Sequence, residues 1–120
     1  MKRDWDLIRE ILTKVEDIES NNDVVNLSNF PDDKHLAASY HAELLIDAEL
    51  IKGQVAKTMG PDVNDFFAIS LTWEGHEFLD SIRNDTVWEK TKSVFKEKGI
   101  SMSVDLVKGV ATKAALSILA

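Results

Sequence analysis

The sequence predicts a mainly α fold with one small β-hairpin, an α+β class. Three observations carry this expectation. Apolar residues recur at helical spacing through most of the chain, one pair of β-rich segments flanks a turn-dense loop, and capping residues stand where helices should begin. With 120 residues, 44% apolar and 29% charged, the chain can bury a core and stay in solution.

The first helix is expected on Trp5, Ile8, Ile11, Leu12, Val15 and Ile18, capped by Asp4 and stopped by Ser20-Asn21-Asn22-Asp23. The β-branched run Val24-Val25-Asn26-Leu27 predicts a short strand. Phe30-Pro31-Asp32-Asp33 reads as the entry to a second helix, with proline and acids in its first turn. That helix is expected to turn Leu36, Tyr40, Leu44 and Ile51 to one side, with Ala37, Ala48 and Leu45 beside them, and to end near Lys52-Gly53. Strands are predicted within Gln54–Met59 and Phe66–Leu71, joined across Gly60–Asp65. Thr72 caps the next helix, with Phe78, Leu79 and Ile82 inward. Thr86-Val87-Trp88-Glu89 has the form of a capping box, so a further helix should start there and reach Gly99 with Trp88, Thr91 and Phe95 buried. Ser103 caps a last helix whose inward arc is Val104, Val107, Val110, Ala111, Ala114, Ala115 and Ile118. Trp5, Ile8, Leu12, Leu44, Phe78, Leu79 and Ile82 are expected to share one core.

Helix, strand, helix and hairpin in that order make a winged-helix-like core, here residues 1–98, followed by a C-terminal helix in 99–120 that packs on the domain or on a partner. Two segments carry a resemblance. Tyr40-His41-Ala42-Glu43-Leu44-Leu45 through Ile51 resembles the end of a winged-helix recognition helix entering its wing. Leu71-Thr72-Trp73-Glu74-Gly75-His76-Glu77-Phe78-Leu79 resembles the exit from the wing. Together with Met1–Arg9 and the stretch up to Trp88, these strings are similar to the bacterial and phage-associated family called domain of unknown function 2513. The resemblance implies a fold class and no activity. One departure bears on function: Ser20–Phe30 shows no helical period, so the helix that should precede the recognition helix is shortened or lost.

Charge narrows the function classes. Residues 1–85 hold 18 acidic and 8 basic residues, whereas residues 86–120 hold 3 acidic and 6 basic. Duplex binding depends on Lys and Arg displacing counterions, so the acidic segment disfavours nucleic acid. The recognition-like helix carries Glu43, Asp47 and Glu49, no Arg, and bases only at its margins, Lys34 and Lys52. Cysteine is missing from the sequence, which excludes disulfides, thiolate metal sites and thiol nucleophiles. No signal-like or membrane-spanning stretch stands out, and a cytoplasmic location without membrane contact is expected.

No catalytic, cofactor or metal site is expected. His76-Glu77-Phe78-Leu79-Asp80 superficially resembles a zinc-protease helix but lacks a third ligand. His35 and His41 lie six residues apart, on different helix faces. Trp5, Trp73 and Trp88 are expected in the core. The candidate partner surface comprises Lys34, Tyr40, Lys52 and Lys57 around the recognition-like helix and hairpin, with Leu106, Leu116 and Leu119 off the inward arc of the last helix. The expected role is a non-enzymatic module that contacts a protein or a second copy of itself. The alternative is a DNA-binding regulator acting as a dimer.

Overall fold

A computed structural model describes residues 1–120, with five α-helices and one two-stranded antiparallel sheet, an α+β fold. The order is α1 (Trp5–Glu16), two single 3-10 turns (Leu27–Asn29 and Asp32–Lys34), α2 (His35–Asp47), β1 (Ile51–Ala56), β2 (Asp65–Leu71), α3 (Trp73–Ile82), α4 (Asp85–Lys98) and α5 (Val104–Leu119). The chain forms two compact units, Met1–His76 and Glu77–Ala120, with the division falling inside α3.

In the first unit α1 begins as expected. The Asp4 carboxylate accepts from the Leu7 amide at 3.1 Å, and Leu7, Ile8, Ile11, Leu12 and Val15 are buried along one stripe. The β-branched run after α1 shrinks to one bridge. Val25 and Ala68 exchange both backbone hydrogen bonds, at 3.0 and 2.9 Å, so Val25 lies along β2 as a one-residue strand. The second helix is corrected at both ends and in its rotation. Its entry is a pair of 3-10 turns, and it ends at Asp47 instead of Lys52-Gly53. The terminator is Glu49, held at φ 60. The Leu50 amide donates to Leu45 O and the Glu49 amide to Ile46 O, which is a Schellman closure with glutamate in the place glycine usually takes. Ala38, Ser39, His41, Ala42 and Leu45 face inward on α2, whereas Leu36 is 61% exposed and Tyr40 and Leu44 are only half-buried. The periodic leucines misled because small residues bring the helix close to its neighbours: Ala38 and Ala42 are wholly buried.

Ending α2 early shifts the first strand back to Ile51–Ala56, and Lys57, Thr58 and Met59 join the loop. Register runs from Ala56↔Asp65 to Gly53↔Ala68, then slips so that Lys52 faces Ser70 and Ile69 is the extra residue of a bulge. Gly53 is required there, because a β-carbon would overlap the Phe67 carbonyl oxygen. Thr58 braces the loop, its amide donating to Asn64 Oδ1 at 2.8 Å and its hydroxyl to Asp62 O at 2.8 Å.

Thr72 caps α3 as expected, accepting from the Gly75 amide at 3.0 Å. It also clamps the end of α2: its hydroxyl donates to Glu49 O at 2.6 Å and its amide to Leu50 O at 3.1 Å. Gly75 lies directly on that Leu50 carbonyl, where no side chain fits. The Leu71-Thr72-Trp73-Glu74-Gly75 string is therefore a joint between α2 and α3. Trp73 is corrected from core to surface, at 77% exposure, and Trp5 is half-buried.

In the second unit Phe78, Leu79, Ile82, Val87, Trp88, Thr91 and Phe95 are buried. Asn84 caps α4 through the Val87 amide at 3.0 Å, so the cap lies two residues before the expected Thr86. Gly99 closes it in the left-handed conformation, φ 63. Ser103 caps α5, as expected. The inward arc of α5 is narrower than predicted. Only Val107 and Ala111 are buried, and Ile118 is 47% exposed.

Candidate interaction surface

The first unit turns an apolar groove of about 440 Å³ toward solvent at the joint between α2, β1 and α3. Ile46, Ala48, Ile51 and Trp73 supply its apolar wall, and Glu49, Lys52, Thr72 and Glu74 its polar rim. The joint explains why a tryptophan stands exposed. Thr72 is the cap and Gly75 the packing residue, so Trp73 begins the helix pointing away from the core, on a backbone pinned by the two Thr72 bonds. Trp73 is thus a large apolar side chain left exposed beside an apolar hollow.

Two further clefts carry less. One of about 540 Å³ lies among Val15, Ile18, Glu19, Ser20, Ile69 and His76, where His76 Nδ1 is 3.7 Å from Glu16 Oε2. No group of three His, Cys, Asp or Glu side chains gathers to hold a metal ion. In the second unit a groove of about 570 Å³ between α4 and α5 is lined by Val94, Val110 and Ala114 with Lys90, Glu97 and Lys113.

The other two histidines are structural. His41 is buried inside α2 and bonded at both ring nitrogens. The Asp4 amide donates to Nε2 at 2.8 Å, and Ala37 O lies 2.7 Å from Nδ1. An amide can only donate and a carbonyl only accept, so the ring proton is on Nδ1. His41 thereby fastens the start of α1 to α2. His35 donates from Nε2 to Phe30 O at 3.0 Å.

The candidate surface residues are dispersed. Lys34 lies at the start of α2 in a small cleft with Asp4, Asp6, Glu10 and Asp33, an acidic setting. Lys52 is beyond the other end of that helix, on the rim of the Trp73 groove. Tyr40 is half-buried with its ring edge-on to His41 at 5.6 Å. Lys57 is exposed in the hairpin loop beside Met59, which is fully exposed. Leu106, Leu116 and Leu119 are 50%, 61% and 81% exposed on α5, in the second unit. Trp73 and Met59 were missed by sequence reasoning. For Trp73 the signal lay in its place directly after a cap and two residues before a packing glycine.

No helix is long and apolar enough to cross a membrane. The family described as Hypothetical protein (DUF2513) matches residues 2–101. A protein of Haemophilus influenzae (strain ATCC 51907 / DSM 11121 / KW20 / Rd) described as "Uncharacterized protein" is 40% identical over 111 residues, covering 92% of each chain. No solved structure matches.

Proposed function

The chain belongs to the DUF2513 family, and on that footing we propose that it is a non-enzymatic, winged-helix-like module that works by contacting protein in the cytoplasm. The observation that carries this reading is Trp73, 77% exposed above an apolar groove on a rigid joint. Charge supports the same choice. The first unit holds 15 acidic and 7 basic residues, and its two candidate phosphate contacts, Lys34 and Lys52, stand beyond opposite ends of α2. Thirteen residues of helix put them on the order of 20 Å apart. Lys34 is further surrounded by carboxylates. A duplex reader needs bases arrayed along one helix face, and α2 offers none between its ends.

The test compares affinity capture by the tagged wild type with capture by Trp73→Ala in a bacterial host. Proteins retained by the wild type and lost by the variant are expected. Equal capture by both would remove the groove as the contact site.

A further inference from the structure

We propose that the partner at this face is a second copy of the chain, joined by antiparallel pairing of the two β1 strands. The inference rests on the protein-contact reading above and names its occupant. The direction of the backbone groups on β1 follows from the bond between Val25 and Ala68. Ala68 spends both its amide and its carbonyl on Val25, so they point away from β1. Its cross-strand partner Gly53 is therefore in a non-hydrogen-bonded pair, and the Gly53 amide and carbonyl point to the free side of β1. Backbone groups alternate along a strand, so Val55 points the same way, as does Ile51 across the bulge, where Lys52 faces β2. The sheet has two strands only, and its open edge is this row. Edges of this kind pair with other strands unless something blocks them.

The open row is complementary to itself. With a two-fold axis at Gln54, Gly53 of one copy exchanges both hydrogen bonds with Val55 of the other, twice over. Lys52 then faces Ala56, so no like charges oppose each other across the seam. Beyond Ala56 the second copy's chain leaves the strand as the loop carrying Lys57 and Met59, which runs on past Ile51 toward Glu49. Both positions border the Trp73 groove. Met59 is wholly exposed within one chain, and a flexible thioether suits an irregular apolar hollow walled by an indole. Lys57 of the second copy arrives beside Glu49, a charge match. Backbone phase, exposed methionine, exposed tryptophan and charge thus agree on one occupant. A seam of this length falls in the small class of interfaces, below roughly 1,200 Å², and since area does not fix affinity the dimer is sought up to high concentration.

The sequence has no cysteine, which makes the register directly readable. On the axis the two Gln54 residues form a non-hydrogen-bonded pair with Cα atoms about 4.5 Å apart, within disulfide reach. Gln54→Cys should give a covalent dimer with oxidised glutathione as the oxidant. Lys52→Cys, whose two copies would be about 13 Å apart along the seam, should not. Sedimentation equilibrium of the wild type should show a monomer at about 1 µM and a dimer at several hundred micromolar. Val55→Pro removes an outward amide that β2 does not use, and should stay monomeric with its melting transition retained. Cross-linking of both cysteine variants alike, or of neither, would overturn the pairing. A wild type that is monomeric at every concentration would overturn it as well. In that case loss of a captured protein on Trp73→Ala would still uphold the module reading, so the two failures are distinguishable.

Discussion

Gly75 and Gly109 both lie inside helices, and the same change to alanine should have opposite signs. In an open helix alanine is favoured over glycine by about 0.5–1 kcal/mol, because it restricts the unfolded chain. Gly109 meets that condition, with nothing within 4 Å of an added β-carbon. Gly75 does not. Its β-carbon would overlap the Leu50 carbonyl oxygen and lie 3.0 Å from the carbonyl carbon and 3.4 Å from the Leu71 β-carbon. The obstacle is backbone, and that same oxygen accepts the Thr72 amide at 3.1 Å, so relief requires parting α3 from the end of α2. Forcing a methyl group into a packed site costs about 1–3 kcal/mol, and loosening the Thr72 bond about 1 more, against the alanine gain of about 1. The net loss is about 1–3 kcal/mol. For a chain of this size each kcal/mol moves Tm by about 4 °C. Thermal melts followed by circular dichroism should show Gly75→Ala falling by about 4–12 °C and Gly109→Ala rising by about 2–4 °C. A rise at Gly75 equal to that at Gly109 would refute the joint.

Other substitutions test the same packing. Glu49→Gly should raise stability by about 0.5–1 kcal/mol in urea denaturation, since it relieves a left-handed glutamate without touching the backbone bonds of the closure; a loss would show that the Glu49 side chain contributes more than its strain. His41→Phe keeps the ring volume but orphans the Asp4 amide, whereas the Ala37 carbonyl keeps its helical bond, and the change should cost about 1–3 kcal/mol by the same measurement. An unchanged midpoint would mean that α1 does not depend on that link. Leu45→Ala should cost about 2–5 kcal/mol and Leu36→Ala under about 0.5 kcal/mol, and the reverse order would restore the helix rotation expected from the leucine spacing.

Caps and the hairpin were legible because they are local chemistry. Asp4, Thr72, Ser103 and Gly99 each act through an atom within four residues of themselves, and turn-rich Gly60–Asp65 leaves the chain few alternatives to reversal. The end of α2 was not legible, because its terminator is a glutamate that takes a conformation normally left to glycine, held by Thr72 from 23 residues away. Rotation of α2 was hidden for a related reason. A helix that packs through Ala38 and Ala42 looks from its leucines as though it should turn the other way. Trp73 followed as an error of the same kind, since a large aromatic is core by default until the cap before it and the glycine after it are seen to fix the backbone. The candidate surface was legible only in composition: acidity along the first 85 residues and an Arg-free α2 disfavoured nucleic acid, while the groove itself needs three elements brought together.

The most direct test of a protein-contacting, non-reading module is fluorescence anisotropy of a labelled random-sequence duplex, titrated with the chain at 50 and 150 mM salt. Carboxylates around Lys34 and the separation of Lys34 from Lys52 predict no saturable change at 150 mM up to tens of micromolar chain, and at most a shallow one at 50 mM. Tight binding that weakens steeply with salt, and that Lys34→Ala or Lys52→Ala abolishes, would contradict it.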